Sequence, residues 1–159
     1  ENLKRRAEDD RALLEYWKKI PADFKADDFV ARAAARAFMQ RGGHDTALDV
    51  LESALNRAWH EELVALYGEV RGSSPTRQIE QAEKWLHAQP RDAQLLLTLA
   101  QLCSVQQLWG KAQSYLEASL AVAPSVEGHI RMAELKTQSG QPGEACQHYQ
   151  KALALCRAE

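Results

Sequence analysis

The stretch that decides the fold is residues 95–124, which reads LLLTLAQLCSVQQLWGKAQSYLEASLAVAP. Apolar residues in its first part recur at helical spacing and would share one helix face: Leu95, Leu96, Leu99, Leu102 and Cys103. Trp109-Gly110 is expected to end this helix, and a second amphipathic helix follows it and stops at Pro124. The stretch therefore predicts two antiparallel helices joined by a short turn.

Small residues set how closely two such helices can approach. Ala100 lies in the first predicted helix, and Ala112 lies in the second, twelve positions later. The axes of packed helices come close only where the side chains at the contact are small. We therefore expect Ala100 and Ala112 to meet in a buried contact.

The same pattern recurs along the chain. Residues equivalent to Ala100 are Ala35, Gly68 and Ala133, and the four positions are separated by 33, 32 and 33 residues. A period of about 34 residues with two helices per copy is the tetratricopeptide signature. The sequence predicts an all-α, right-handed tetratricopeptide-repeat solenoid with about four helix pairs, at residues 26–58, 61–88, 93–123 and 127–157.

Residues 1–20 are interpreted separately from the repeat domain, which is placed at 26–157. Leu14 and Trp17 suit the apolar face of an N-terminal helix that Pro21 stops. This helix resembles the second helix of a preceding repeat, and the start at Glu1 rather than Met indicates a fragment of a longer chain. We expect its uncovered edge to cause weak self-association.

Composition excludes several classes of function. The formal net charge is −2 and the charges are mixed along the chain, which predicts no binding of nucleic acid. No run of eighteen apolar residues occurs, so no membrane contact is expected from this chain itself. Cys146 and Cys156 would lie about 15 Å apart on one helix. That separation is too long for a disulfide, so reduced thiols are expected.

Three stretches resemble one known family. They read LLEYWKKIP, HDTALDVLESALNRAWHEELVALYGEV and QAEKWLHAQPRDAQLLLTLAQLCSVQQLWGKAQSYLEASLAVAP. Over about residues 13 to 156 the chain is similar to the C-terminal half of the HemY family, proteobacterial inner-membrane tetratricopeptide proteins linked to heme (porphyrin) biosynthesis. The resemblance implies a domain on the cytoplasmic face of the inner membrane, with a role late in protoheme synthesis and no catalytic motif to carry over.

The residues themselves predict no catalytic, metal or cofactor site. The five histidines include no pair four residues apart, and no Cys-x-x-Cys occurs. His129, His148 or Cys103 could supply an axial ligand to a porphyrin iron, but surface or packing roles are more typical. Helix packing is also favoured over a cofactor cage for the tryptophans, which are Trp17, Trp59, Trp85 and Trp109.

Acid–base and phosphate chemistry also lack a signal. The carboxylate pairs Asp27-Asp28 and Glu61-Glu62 fall at predicted helix starts, where the helix dipole favours negative charge. No glycine-rich phosphate loop is present. The chain is therefore predicted not to be an enzyme.

A binding surface is the remaining candidate site. The first helix of each pair is expected to line the concave side of the stack, which selects Arg32, Arg36, Gln94, Leu97, Gln101, Val105, Arg131, Glu134 and Gln138. Arg32 and Arg36 are one helical turn apart and could bind a carboxylate or an acidic segment, or could simply be solvated.

Two functions follow as hypotheses. The first is a non-catalytic scaffold for other proteins, with heme-pathway enzymes as the partners that the family resemblance implies. The alternative is a tetrapyrrole-binding or carrier protein that uses the concave groove.

Overall fold

The computed structural model describes residues 2–25 and 27–158, and these residues form helices with no strand. The helices are α1 Asn2–Lys19, α2 Ala22–Lys25, α3 Asp28–Gln40, α4 His44–Arg57, α5 Glu61–Glu69, α6 Pro75–Ala88, α7 Ala93–Val105, α8 Trp109–Val122, α9 Val126–Gln138 and α10 Pro142–Ala158. The prediction of an all-α protein is confirmed. Within the described ranges, no helix is both long and apolar enough to cross a membrane.

The chain divides into two compact units, Glu1–Ser73 and Ser74–Glu159. The first unit contains α1 to α5, and the second contains α6 to α10. Three predicted pairs each lie inside one unit as packed helices: α3 with α4, α7 with α8, and α9 with α10. The helices predicted within 61–88 are divided between the units, and residue 26, the predicted start of the first pair, lies outside the described residues.

The predicted small positions are all buried. In the first helices of the pairs, these positions are Ala35, Gly68, Ala100 and Ala133. In the second helices, Ala47 and Ala112 are each 0% exposed and Ala145 is 3% exposed. Small buried residues on both helices of a pair allow the two backbones to approach closely.

The three pairs turn in the same way. Each turn passes through one residue with a positive φ angle: Gly42 at 81°, Gln107 at 59° and Gly140 at 72°. The next amide then donates to a carbonyl five residues earlier, as Leu108 N does to Cys103 O at 2.9 Å. This bond satisfies one of the carbonyls that the end of a helix leaves without a partner.

The predicted helix break at Trp109-Gly110 is wrong. Trp109 is the first residue of α8, and the turn is formed by the three residues before it. A glutamine, Gln107, adopts the left-handed conformation that glycine adopts in the other two turns. Because no glycine marks this turn, the sequence pattern placed the break three residues too late.

The N-terminal helix packs on the first pair through aromatic contacts. The rings of Trp17 and Phe38 meet edge to face, with centroids 6.4 Å apart, and Lys25 Nζ lies 5.5 Å from the Trp17 ring centroid. A cavity of about 410 Å³ lies beside this contact and is lined in part by Leu13 and Leu14. The expected packing role of Trp17 is therefore confirmed.

The short helix α2 was not predicted. It follows Pro21 and is held by α4, because Arg57 donates to Ala22 O at 2.6 Å and to Asp23 Oδ1 at 2.9 Å. The Leu3 and Ala7 side chains, near the start of α1, lie outside the described residues.

The buried contact at Ala112 generates a stability prediction. Ala112 is 0% exposed, so the larger side chain of Ala112→Leu would overpack the interface between α7 and α8. We therefore expect the free energy of unfolding to fall by about 1–3 kcal/mol. The matched control is Ala121→Leu on the exposed face of the same helix, with a change within about 0.5 kcal/mol. Urea unfolding followed by the helical circular dichroism signal measures both. Equal midpoints for the wild type and Ala112→Leu would show that Ala112 does not contact α7.

Candidate interaction surface

The predicted site residues occupy the first helices of the pairs, as expected. Arg32 and Arg36 lie on α3 in the first unit; the second unit has Gln94, Leu97, Gln101 and Val105 on α7, and Arg131, Glu134 and Gln138 on α9. The residues on any one helix recur three or four positions apart and form a stripe along that helix. Each stripe is described within its own unit.

On α3, the predicted arginine pair is already partly engaged. Arg32 forms an ion pair with Glu62 at the start of α5, and its guanidinium lies 5.8 Å from the Phe29 ring centroid. Arg36, one turn later, is exposed. A ligand carboxylate would therefore reach Arg36 directly, whereas it must compete with Glu62 for Arg32.

The sequence missed Phe29 as part of this stripe. Its ring is 67% exposed, and it lies three residues before Arg32 on the same helix face. A large apolar side chain that is exposed beside arginines is a typical feature of a protein-binding surface. The three-residue spacing between Phe29 and Arg32 could have revealed that both lie on one helix face.

On α7, the assignment of Leu97 to an accessible surface needs correction. Leu97 is only 4% exposed, because α7 buries side chains around most of its circumference. Gln94 and Gln101 are partly exposed, and Val105 is 44% exposed near the end of the helix. The accessible stripe of α7 therefore consists of these three residues without Leu97.

On α9, the stripe combines an internal ion pair with exposed polar groups. Arg131 Nη2 lies 2.7 Å from Glu127 Oε1, one turn earlier. Glu134 and Gln138 are exposed. Ile130 was not predicted, although it lies three residues before the small position, as Arg32 and Leu97 do, and is 38% exposed.

The suggestion that Cys103 could bind a porphyrin iron needs correction. Its side chain is 0% exposed, so a bound group could not reach the sulfur without opening α7. Burial also raises the pKa of the Cys103 thiol, which favours the neutral form over the thiolate that binds metal.

His129 and His148 form a direct contact that the sequence did not predict. Their Nδ1 atoms are 3.0 Å apart across the α9–α10 pair. The ring centroids are 5.3 Å apart. With the Nδ1 atoms 3.0 Å apart, the centroids can be this far apart only if each Nδ1 atom lies on the side of its ring that faces the other ring. One ring therefore donates an N–H to the lone pair of the other. Nineteen residues separate the two histidines, and nothing in local spacing pairs them.

This geometry fits a shared hydrogen bond. A metal ion bound by both rings would need the two lone pairs to converge on a third point. In the part of the chain that the structure describes, no group of three or more His, Cys, Asp or Glu side chains could hold a metal ion.

The carboxylates have structural partners. Asp27 caps α3 by accepting a backbone hydrogen bond at 3.1 Å, and Glu61 and Glu62 lie in the first turn of α5, as expected. Glu83 on α6 accepts the Tyr115 hydroxyl of α8 at 2.8 Å, and this hydrogen bond is the main cause of its lowered pKa. Lowered pKa values keep a carboxylate ionised and do not suit a general acid.

The tryptophans are divided between the two units. Trp17 and Trp59 belong to the first unit, and Trp85 and Trp109 belong to the second. Trp85 is 8% exposed, which agrees with the predicted packing role, whereas Trp109 at the start of α8 is 41% exposed.

No protein-family model and no curated protein matches the chain. Solved structures do. MamA 41-end from Desulfovibrio magneticus RS-1 covers 99% of this chain and 90% of its own, with a TM-score of 0.63 and 19% sequence identity. MamA AMB-1 covers 99% of this chain and 94% of its own, with a TM-score of 0.59 and 20% identity. These similarities show the class of fold, all-helical and tetratricopeptide-like, and confirm that prediction.

The histidine contact predicts a pH dependence of stability. Burial is the main cause that lowers the pKa of both His129 and His148, and the charge of Lys151 lowers both further. The charges of His129 and Lys136 also lower the pKa of His148, while Glu144 acts on it in the opposite direction. The unfolded chain, with an ordinary histidine pKa of about 6.5, then binds protons that the folded chain does not. The stabilisation is complete above about pH 6.5 and is lost as the pH falls toward the folded pKa values.

We expect His148→Gln to reduce this dependence. The melting temperature should fall less between about pH 7.5 and about pH 5.5 in His148→Gln than in the wild type. The matched control is His60→Gln, just before α5, which leaves the histidine pair intact and should follow the wild type. Thermal scans by circular dichroism measure the difference. An identical fall in all three proteins would contradict a role for the pair.

Proposed function

We propose that the chain is a non-catalytic scaffold that binds other proteins through the accessible stripes of α3, α7 and α9. One observation carries the proposal. The residue after each buried small position is polar and at least partly exposed: Arg36, Glu69, Gln101 and Glu134. A constant backbone position thus presents an arginine, a glutamine or a glutamate, depending on the copy, and repeat proteins build extended binding surfaces from such variable positions.

The α3 stripe suggests the chemistry of one partner segment. Phe29 offers an exposed ring, and Arg36 offers an exposed guanidinium about two turns later on the same helix. An acidic segment that also carries an apolar side chain would complement both. Arg32 would join only if the incoming carboxylate displaced Glu62.

The proposed pathway rests on the sequence resemblance to the HemY family. That resemblance supports heme-pathway enzymes as partners and the cytoplasmic face of the inner membrane as the place of action. It also supports the interpretation of residues 1–20 as the remnant of a preceding repeat.

The N-terminal edge remains a proposed site of weak self-association. Tyr16 and Phe24 are 66% and 63% exposed, which places two large apolar rings on the surface of the first unit. Weak association is expected unless the buried area exceeds about 1,000 Å².

The alternative function, a tetrapyrrole carrier, has less support. Among the three candidate ligands, Cys103 is buried, and His129 and His148 are hydrogen-bonded to each other through their Nδ1 atoms. A visible absorption titration with hemin tests this alternative. A scaffold gives no saturable shift of the hemin band, whereas a saturable shift that is lost in His148→Ala would overturn the proposal in favour of the carrier.

The partner surface is tested by site-specific photocrosslinking. A photoreactive residue is placed at Gln40, which is exposed on α3 one turn after Arg36, and crosslinking is performed in membranes from a heme-producing proteobacterium. We expect crosslinks to a defined protein, and a yield on the order of tenfold lower when Arg36→Glu is added, because a charge-assisted contact is then replaced by repulsion.

The matched control is Lys19→Glu, an exposed charge reversal outside the stripes, which should leave the yield unchanged. Loss of crosslinking in both charge variants would indicate a nonspecific charge effect. Equal crosslinking in the wild type and Arg36→Glu would contradict the use of the α3 stripe. Identification of the partner by mass spectrometry then decides whether it belongs to heme synthesis.

A further inference from the structure

Helix α10 is held in place by α9. No other helix in the described part of the chain packs extensively on α10, whereas α9 also packs on α8. The buried residues of α10, Ala145 and Ala152, therefore lie on the face turned toward α9, and so does the His148 ring, which meets His129. Because a segment held by few partners can open separately from the rest of a fold, α10 can leave α9 while the other helix pairs stay packed.

The contact between His129 and His148 has room for one proton. Their Nδ1 atoms are 3.0 Å apart and face each other, so one N–H lies between the two nitrogens. No buried side-chain nitrogen of a described residue lacks a hydrogen-bond partner, so the outer nitrogen of each ring, Nε2, reaches solvent. The pair can therefore take up a proton from water at an outer nitrogen while the inner contact stays closed.

A first added proton fits this arrangement. In the neutral pair, the ring that donates from Nδ1 carries a lone pair on its Nε2 atom. A proton added there turns the donor ring into an imidazolium and leaves the hydrogen bond between the Nδ1 atoms in place. A charged donor strengthens a hydrogen bond, so the singly protonated pair still joins the two helices.

A second added proton does not fit. The remaining lone pair belongs to Nδ1 of the acceptor ring, and it already accepts the shared N–H. Protonation there would bring two N–H groups on two positive rings against each other, with their nitrogens 3.0 Å apart. We propose that His129 and His148 form a proton latch, which holds α10 on α9 with no added proton or one and releases α10 when both rings are charged.

The charged groups around this latch act mostly in one direction. Lys151 of α10 lowers the pKa of both rings. Lys136 of α9 lowers the pKa of His148, and Glu144 of α10 raises it. Although α8 packs on α9, no ionisable side chain of α8 shifts the pKa of either ring. The two lysines therefore oppose a second positive charge on the pair and add to the repulsion that releases α10.

The latch connects pH to the proposed binding surface. Helix α9 carries the stripe of Arg131, Glu134 and Gln138, and it packs between α8 and α10. Release of α10 leaves α9 supported on one side, so acid should weaken the binding of a partner to this stripe. That consequence rests on the proposed function, whereas the latch itself is a property of the free chain.

Nuclear magnetic resonance of the chain with isotope-labelled histidine tests the geometry of the latch. At about pH 7.5, where both rings are neutral, we expect a scalar coupling between the two Nδ1 nuclei, because such a coupling passes through a hydrogen bond. The coupling should disappear in acid together with the packing of α10. Its absence from the folded wild type at the higher pH overturns the latch.

Amide hydrogen exchange of the free chain, expressed as protection factors, tests the release. With α10 released, both rings have an ordinary pKa of about 6.5 and take up two protons, whereas the closed pair takes up one at most. Acid therefore favours the released state. From about pH 6 to about pH 5 we expect α10 to lose protection on the order of tenfold, while α7 and α8 keep theirs.

The matched variants separate the latch from other effects of acid. In His148→Gln, the amide can donate to His129 or accept from it, so the contact survives protonation and the loss should be less than about threefold. His129→Gln should behave in the same way. His60→Gln leaves the pair intact, and Glu144→Gln removes only the ion pair with Lys136, so both should keep the tenfold loss.

Two results of the exchange experiment overturn the proposal. An equal loss of protection in the wild type, His148→Gln and His129→Gln would show that the pair does not control α10. A simultaneous loss in α7, α8 and α10 would show that acid unfolds the whole second unit instead of releasing one helix. Because both measurements use the chain without a partner, failure of the proposed scaffold function would leave their outcome unchanged.

Discussion

The structure depends on one repeated constraint, the burial of small residues on both helices of each packed pair. Ala35, Ala100 and Ala133 on the first helices, with Ala112 and Ala145 on second helices, are at most 3% exposed. Only small side chains allow two helix backbones to approach at these points. The close approach in turn fixes which faces of the helices are buried and which remain accessible for binding.

Much of the fold could be predicted from the sequence, because its signals are local and repeated. The small positions recur at a constant period, and the apolar spacing around Ala100 is helical, so the pairs α3–α4, α7–α8 and α9–α10 followed from the pattern. The turn before α8 did not follow, because Gln107 adopts a positive φ angle that sequence rules assign to glycine. Hydrogen bonding of the helix end decides that conformation.

The candidate site was only partly predictable. Stripe positions follow from helical geometry, and this placed Arg36 and Gln101 on accessible faces. Burial depends on what packs around a helix, so Leu97 was assigned to the surface although it is 4% exposed. The contact between His129 and His148 joins two helices, and no spacing rule within one helix can reveal it.

Close contact of paired small residues is tested most directly by nuclear magnetic resonance of the chain with labelled alanine methyl groups. Nuclear Overhauser effects between the methyl groups of Ala100 and Ala112, and between those of Ala133 and Ala145, are the expected result. Both pairs of side chains are buried, so their methyl signals should be narrow and protected from solvent. Absence of both cross-peaks, with the assigned helices intact, would contradict the small-residue contact as the basis of the fold.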